Sequence, residues 1–349
     1  MRGTGRPGSR AVSSSAMDGV SVIVCCHNSA SRLPAALRHL SEQRGTTGVP
    51  WEIVVVDNAS QDATAQVAHD CWNGHWPAPL HVVHEPNPGL AHARLRGIAE
   101  SRFEYITFID DDNWVSSTWV AEVARVFTTY PDVGLCNGVS EAVCEQPLPH
   151  WFRQFQISYA VSPPDWPSED VTTSRGWLWG AGMSLRRSAW NQLVDAGWRW
   201  QLTGRLGSAL SSGEDSELSL ALKAAGWRLR YDRALRLQHH IDVRRLDWTY
   251  LRRLERSSGE ASVIHDLYRA PSSAWWPPAL SACKTALGAS LAGLALLSPP
   301  GSWRILSTDR HLGRLAALWR LRRQYPRLAA EIGDACRRLK AQGRPSLAR

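Results

Sequence analysis

Four short apolar runs in the first third of the chain each end in a polar cluster, and each is followed by a segment with helical spacing. The runs are VSVIVCC (20–26), EIVVVDNAS (52–60), LHVVHE (80–85) and YITFID (105–110). The segments that follow them are 31–43, 62–72, 90–100 and 116–129. Runs that are apolar throughout are typical of parallel strands covered on both faces. The pattern predicts an α/β fold with a doubly wound, mostly parallel sheet.

Polar side chains follow each predicted strand, at the edge where ligands bind in such sheets. They are His27 and Asn28, then Asp57 and Asn58, then Glu85 and Asn87, and finally Asp110, Asp111 and Asp112. One aspartate at a strand end is most often a helix cap or a turn residue. Several polar strand ends that converge on one edge favour a ligand site instead.

The acidic triplet Asp110–Asp112 directly follows an apolar strand, although adjacent carboxylates repel each other and resist desolvation. No GxGxxG follows the first strand, and GxxxxGK[ST] does not occur. A classical dinucleotide site or P-loop is therefore disfavoured. Carboxylate oxygens suit Mg²⁺ or Mn²⁺, which also bind diphosphate oxygens. The triplet indicates a divalent cation together with a phosphate-bearing ligand.

Composition sets broad limits on the chain of 349 residues, whose formal net charge is +8. A basic balance suits phosphate-bearing ligands, nucleic acid or anionic lipid. The seven cysteines include no CxxC pair, which argues against a zinc site and fits a reducing compartment. Residues 1–17 are rich in Gly, Ser and Arg and have no apolar core, so we expect a disordered leader.

Six stretches, in order, resemble the family 2 glycosyltransferases with the GT-A fold. They are VSVIVCCHNSASRL (20–33), EIVVVDNASQDAT (52–64), EPNPGLAHARLRGI (85–98), FIDDDNWV (108–115), WGAGMSLRRSAW (179–190) and SSGEDSELSLALKAAGW (211–227). The resemblance implies inverting, metal-assisted transfer from a nucleotide-diphosphate sugar, usually a UDP-sugar. The acceptor would be a hydroxyl of a glycan, glycolipid or cell-surface polysaccharide.

The resemblance also implies residue roles on the donor side. Asp57 would hydrogen-bond the nucleobase, with Arg94 near it. Asp111 would face the ribose, and Asp112 would bind Mn²⁺ or Mg²⁺ directly. The nucleotide-binding set is His27, Asn28, Asp57, Arg94, Asp110 and Asp111. Leu95 stands where the family often has Asn, so base recognition is expected to differ in detail.

Asp215 matches the general base of the family, with Glu214 beside it. The alternative is that Asp215 only caps a helix that starts near Glu214, where the helix dipole favours negative charge. The two roles are compatible, although the dipole would lower the pKa of Asp215. The loop Gly180–Ala181–Gly182 matches the one that lines the acceptor side of the donor sugar.

Two further groups of residues have open alternatives. His239 or His240 could complete the metal site, or one could pack in the core while the other is solvated. Trp177 and Trp179 could stack on sugar rings or belong to the core.

The β/α pattern stops near residue 242. We expect a catalytic domain over 18–242, with a nucleotide-binding half (18–115) and an acceptor half (116–242), and a helical region over 243–349. Segment 279–297 is long enough to span a bilayer, but it contains many small residues and Lys284. Nucleotide sugars are cytosolic and the arginine-rich tail also favours the inner side, so a single crossing is disfavoured.

The basic amphipathic segment 311–326 is of the kind that lies on anionic membranes. We expect a cytoplasmic protein that contacts the inner face of the cytoplasmic membrane through 275–326. A soluble helical cap is the alternative.

Three other functions are weaker interpretations. A sugar-phosphate nucleotidyltransferase would carry a basic, glycine-rich loop where this chain has CCHNSASR (25–32). A non-catalytic nucleotide-sugar-binding protein would show a degenerate acidic triplet or lack the base. A nucleic-acid partner is not indicated, because no motif for base or backbone contact is evident.

Overall fold

The computed structural model describes residues 17–74, 76–204, 212–270, 276–291 and 301–343. The predicted leader lies outside these ranges except for Met17, and so do residues 275 and 292–300 of the predicted membrane-contact segment.

Nine strands and eleven helices are present in the described ranges. The strands are β1 (Met17–Cys26), β2 (Trp51–Asn58), β3 (Leu80–Glu85), β4 (Phe103–Asp110), β5 (Asn113–Val115), β6 (Val133–Val143), β7 (Glu169–Asp170), β8 (Ser184–Arg186) and β9 (Arg228–His240). The helices are α1 (Leu33–Ser41), α2 (Thr64–Cys71), α3 (Leu90–Glu100), α4 (Trp119–Thr129), α5 (Phe152–Phe155), α6 (Arg187–Asp195), α7 (Glu214–Ala224), α8 (Trp248–Arg269), α9 (Trp276–Leu291), α10 (Trp303–Leu321) and α11 (Tyr325–Gln342). The four strand–helix units predicted from the sequence are confirmed.

The first four strands form a parallel half-sheet in the order β3-β2-β1-β4. Helices pack on both faces, which is why the strands are apolar throughout: every side chain from Val20 to Val24 is buried. Their carboxyl ends therefore open on one edge, as the sequence predicted.

The second half of the sheet mixes directions. Strand β8 runs antiparallel between β4 and β6, while β9 runs parallel to β6. The short strand β5 pairs antiparallel with β9, which sets Asn113 opposite His239. This pairing brings the end of β9 to the acidic triplet.

The elements after β9 are helical, as predicted. Helices α8 and α10 cross closely at two glycines: a Cβ on Gly259 would lie 1.9 Å from the carbonyl oxygen of Arg310, and one on Gly313 would lie 1.9 Å from that of Arg256. Leu339 of α11 belongs to the same buried cluster as the sheet. The predicted domain boundaries stay predictions.

The structure can be compared with two expectations for the C-terminal region, the basic amphipathic segment and the possible membrane span. The basic segment 311–326 is not one continuous helix, because α10 ends at Leu321 and α11 begins at Tyr325. Within the part of the chain that the structure describes, no helix has both the length and the apolar character needed to cross a membrane.

Candidate active site

A cavity of about 670 Å³ opens at the carboxyl ends of β1 and β4. Its wall contains most of the predicted site residues: His27, Arg94, Asp110, Asp111, Asp112, Trp177, Trp179, Gly180, Ala181, Glu214, Asp215 and His239. Four predicted residues lie outside this wall: Asn28, Asp57, Gly182 and His240. The structure therefore brings the acidic triplet and the predicted general base into one space.

Asp111 is held by two side chains from the loop after β1. Its Oδ2 atom accepts hydrogen bonds from Ser29 Oγ and from Arg32, whose Nη2 lies 2.6 Å away and whose Nε lies 3.1 Å away. These contacts tie the end of β4 to the start of α1. Sequence reasoning missed both residues, although Arg32 is the one cation in the turn CCHNSASR and could have been noticed.

Asp112 faces the end of β9. Its Oδ2 atom lies 3.6 Å from Nε2 of His239 and 3.2 Å from Nη1 of Arg245. His240 points elsewhere: its Nε2 lies 2.6 Å from Glu145, and its ring stacks on Trp114. Of the two candidate histidines, His239 is the one beside the triplet. Sequence reasoning also missed Arg245.

The donor set at Asp112 suits a divalent cation that takes further ligands from a substrate. Among the described residues, no group of three or more His, Cys, Asp and Glu side chains is arranged to hold a metal ion by itself. Asp112 and His239 nevertheless converge, and Nδ1 of His239 is buried with no hydrogen-bond partner in the described chain. Mg²⁺ in particular is usually bound by one or two carboxylates plus substrate phosphates. The residues present fit such an ion.

Arg94 joins the two acidic parts of the cavity. Its side chain is 1% exposed and pairs with Glu214 at 3.3 Å. Burial and the neighbouring Asp112 raise the pKa of Asp110 to about 6, and Arg94 opposes this shift. The guanidinium thus offsets negative charge on both sides, which explains how so many carboxylates share one space.

Asp215 lies in the first turn of α7, close to the glycine loop before β8. A Cβ on Gly180 would lie 2.7 Å from Nη2 of Arg94 and 3.7 Å from Oδ2 of Asp215, so a side chain at this position would have to displace the Arg94 guanidinium. Burial raises the pKa of Asp215 above its ordinary value, while Arg94 opposes the shift. The net direction is opposite to the lowering that the helix dipole alone would produce.

Helix α8 supports the start of α7. Nε2 of His265 lies 2.9 Å from the carbonyl oxygen of Gly213, the residue before Glu214. Gly213 has a φ of 102°, and a Cβ there would lie 2.6 Å from that of Ala261. Asp215 is therefore positioned partly by the helical region after the sheet.

The predicted base-binding residues form a separate network at the ends of β1 and β2. Asp57 Oδ2 lies 3.6 Å from Nδ1 of His84, and its Oδ1 accepts a hydrogen bond from the backbone of Ser60. His27 Nδ1 contacts the carbonyl oxygen of Asn58 at 2.7 Å. Asn28 is exposed and accepts a bond from the backbone of Gln61. Of these residues, His27 and Asn58 line the cavity, whereas Asn28 and Asp57 lie outside its wall.

Trp177 and Trp179 differ in how well they fit the two alternatives, stacking on sugar rings and packing in the core. Trp179 is 4% exposed and stacks on Trp166, so it belongs to the core while it also reaches the cavity wall. Trp177 is half-buried and meets Trp179 edge-on. Trp177 is therefore the more accessible of the two rings.

The far wall of the cavity comes from helices that sequence reasoning did not connect with the site. Glu255 of α8 is 3% exposed, accepts a hydrogen bond from Ser158 and pairs with Arg310 of α10 at 2.5 Å. Ser258 and Arg269 line the same wall. No spacing in the sequence indicated that α8 and α10 would face the acidic triplet.

Comparisons with known proteins agree with this geometry. The sequence pattern described as Glycosyl transferase family 2 matches residues 21–174, and that of Glycosyl transferase family group 2 matches residues 105–303, more than half of the chain. The succinoglycan biosynthesis protein ExoM of Rhizobium meliloti is 23% identical over 310 residues, which are 87% of this chain and 94% of ExoM.

Other similarities are more limited. The putative glycosyltransferase EpsH of Bacillus subtilis is 30% identical over 122 residues, and the match covers 35% of this chain and only 34% of EpsH. The solved mannosyltransferase PcManGT of Pyrobaculum calidifontis, in complex with GDP-Man and Mn²⁺, has a TM-score of 0.56 at 19% identity, over 87% of this chain and 88% of that one. This likeness confirms the GT-A type of fold. The chain belongs to the family 2 glycosyltransferases.

Proposed function

We propose that the protein transfers a sugar from a nucleoside-diphosphate sugar, most simply a UDP-sugar, to a hydroxyl group of a glycan, glycolipid or cell-surface polysaccharide. The observation that carries this proposal is that the Asp110–Asp112 triplet and Asp215 face one cavity from different elements. One group of acids suits the donor diphosphate with its cation, and the other suits the acceptor. A solved protein of the same fold binds GDP-Man and Mn²⁺, which supports this class of donor.

On the donor side, Asp57 and His27 at the ends of β2 and β1 would bind the nucleobase side of the nucleotide. Asp111, which Arg32 holds in place, would face the ribose. Asp112 and His239 would hold Mn²⁺ or Mg²⁺. The cation would supply Lewis-acid stabilisation of the leaving diphosphate, a contribution of several kcal/mol.

On the acceptor side, Asp215 would accept the proton of the attacking hydroxyl. The acceptor oxygen forms a bond to the anomeric carbon as the bond from that carbon to the diphosphate oxygen breaks, and a single in-line displacement inverts the configuration. A positioned general base contributes about 10²–10⁴-fold. The pairing of Glu214 with Arg94 supports Asp215 as the base and Glu214 as a positioning residue.

The acceptor would approach between the Gly180–Gly182 loop and α8. Trp177 offers a half-buried ring to a sugar face. Ser258 and Glu255 offer polar atoms on the opposite wall. This arrangement suits a hydroxyl-rich acceptor.

We also place the protein on the cytoplasmic side, in contact with an anionic membrane surface. Leu280 and Leu287 of α9 and Trp319 of α10 are large apolar side chains with 48%, 60% and 64% exposure. Trp319 is followed by a cluster of cations, Arg320, Arg322 and Arg323. Exposed apolar residues beside cations are typical of interfacial helices.

Two assays test these proposals. Purified protein is screened with Mn²⁺ against nucleotide sugars for hydrolysis and transfer. Asp112→Ala and Asp215→Asn should each lose about 10²–10⁴-fold in rate, whereas Asp195→Asn, at an exposed site on α6, should not. Equal turnover in all three variants would contradict the proposed function.

For the membrane contact, co-sedimentation compares vesicles with and without phosphatidylglycerol. Trp319→Ala and Leu287→Ala should weaken binding to the anionic vesicles. The membrane proposal would be contradicted if binding were equal with and without phosphatidylglycerol and unchanged by both substitutions. That result would not affect the enzymatic proposal.

A further inference from the structure

Arg245 lies beside Asp112, the residue that would hold the metal ion under the proposed function. It ends the short 3₁₀ turn Val243–Arg245 that follows β9, and it lines the cavity. Its Nη1 atom lies 3.2 Å from Oδ2 of Asp112, and the side chain is only 14% exposed. The same Oδ2 atom faces Nε2 of His239. Oδ2 of Asp112 thus faces two groups at once: His239, a candidate metal ligand, and the guanidinium of Arg245, which is always positively charged.

A guanidinium and a divalent cation compete for this oxygen, because each is held there by its positive charge. Arginine keeps its charge at every ordinary pH, so it cannot give way by losing a proton. Cations a few ångströms apart in a partly buried site repel each other strongly. A metal that binds Asp112 through Oδ2, the oxygen that His239 faces, would therefore weaken the contact of the Arg245 guanidinium with that atom.

The backbone of Arg245 is fixed, so the side chain is the part that can move. Its N–H donates to the carbonyl oxygen of Asp242 at 2.8 Å, and its own carbonyl oxygen accepts a bond from the Tyr159 hydroxyl at 2.9 Å. The guanidinium carbon lies 5.9 Å from the centre of the Tyr250 ring. Rotation of the side chain about this anchor keeps the guanidinium within the cavity.

The guanidinium also has hydrogen-bonding capacity that Asp112 does not use. Its Nε atom is buried and has no hydrogen-bond partner in the described chain. A buried donor left in this way costs free energy until an acceptor arrives. Arginine binds phosphate oxygens through two parallel N–H donors, a geometry that a carboxylate contact through a single nitrogen does not exploit.

We propose that Arg245 is an exchangeable counter-ion of the metal-binding carboxylate. It neutralises Asp112 when metal and donor are absent, and it moves to the diphosphate oxygens of the donor when the metal binds. This inference rests on the proposed function, because it requires a nucleoside diphosphate in the cavity. It predicts that removal of the Arg245 charge has opposite effects on the affinity for the metal ion and on the affinity for the nucleotide.

The test uses Arg245→Met, which removes the charge but keeps an apolar stem against Tyr250. The matched control is Arg244→Met, since Arg244 is the neighbouring residue but is 86% exposed and pairs with Asp242 instead. Mn²⁺ binding without nucleotide is measured by the paramagnetic resonance of free Mn²⁺. UDP binding at saturating Mn²⁺ is measured by calorimetry.

Arg245→Met should bind Mn²⁺ alone more tightly than the wild type, by roughly three- to tenfold, the range expected for loss of one competing ion pair. It should bind UDP more weakly by a similar or larger factor. Arg244→Met should match the wild type in both measurements. A purely structural role for Arg245 would weaken both.

Unchanged or weaker Mn²⁺ binding by Arg245→Met would overturn the inference, as would unchanged UDP binding. If that variant does not fold, Arg245→Lys serves: it should keep the Mn²⁺ affinity of the wild type and lose UDP affinity, because lysine has no planar fork. Failure of the proposed function is distinguishable, since wild-type protein would then bind neither Mn²⁺ through Asp112 nor UDP.

Discussion

Nη1 of Arg94 lies 3.3 Å from Oε1 of Glu214, and both side chains are buried although they are 120 residues apart in the sequence. The pair connects α3, which follows the third parallel strand, with α7, which carries the proposed base. This ion pair therefore connects the parts of the cavity wall that carry the proposed donor and acceptor sites.

Loss of one partner from this pair should be costly. Arg94→Met leaves Glu214 as a buried charge without its cation, which should lower the free energy of unfolding by about 3–5 kcal/mol. Arg96→Met, two residues along the same helix, breaks only a half-exposed pair with Glu100 and should cost at most about 1 kcal/mol. Urea unfolding measures both, and equal costs would contradict a structural role for the buried pair.

His239 and His240 should differ in their effect on metal binding. His239→Ala should weaken Mn²⁺ binding in the presence of UDP by about 10–100-fold, because its Nε2 faces Asp112. His240→Ala should leave it within about twofold, since His240 faces Glu145 and Trp114. Calorimetric Mn²⁺ titrations test this, and the reverse order would show that the wrong histidine has been assigned.

The activity should fall on the acidic side of its pH profile, and this fall should occur at a pH above the usual pKa range of an aspartate. Burial raises the pKa of Asp215, so this carboxylate takes up a proton at a higher pH than an exposed aspartate would. A general base must be ionised, and kcat/KM should therefore fall as the pH is lowered through that raised pKa. Asp110→Asn serves as the control, because burial raises the pKa of Asp110 to about 6. A limb that disappears in this variant would assign the titration to Asp110.

Glu217 should make the protein less stable as the pH rises. Burial raises its pKa from 4.5 to about 7, so between these values the folded protein holds a proton that the unfolded chain has released. This stabilisation is complete below about 4.5 and is lost as the pH rises through about 7. Thermal unfolding should therefore show wild type losing Tm relative to Glu217→Gln between pH 5 and pH 8. A constant difference would contradict the raised pKa.

The glycine crossing between α8 and α10 should tolerate no side chain. Gly259→Ala places a Cβ against the carbonyl oxygen of Arg310, and such overpacking costs about 1–3 kcal/mol. Because Arg310 pairs with Glu255 on the cavity wall, transfer activity should fall as well. Glu260→Ala, the next residue, loses only the exposed contact with Arg320 and is the control. Equal melting temperatures for the two variants would show that the crossing can relax.

The first half of the fold could be predicted because its signals are local. Each parallel strand is apolar throughout and ends in a polar turn, so β1 to β4 and the helices after them follow from pattern alone. The second half could not, because β5 and β8 are three residues long and are defined by their partners rather than by their own sequence. Pairing between distant segments leaves little trace in a single sequence.

The candidate site divides in the same way. Asp110, Asp112 and Asp215 were identifiable because they stand in motifs next to strand or helix ends. Arg245 and Glu255 were not, because they reach the cavity only through the packing of α8 and the turn before it. The choice between His239 and His240 also needed the β5–β9 register, which fixes which side of the strand faces the triplet.

The contact between His265 of α8 and the carbonyl oxygen of Gly213 has a consequence for protein engineering. The sheet and the helices after it are not interchangeable modules, because the residue that precedes Glu214 and Asp215 rests on a helix from the other part. A chimera that takes its sheet from one relative and its C-terminal helices from another would also have to match α8 to this loop. Under the proposed function, we therefore expect a change of acceptor preference to need the exchange of α8 together with α7.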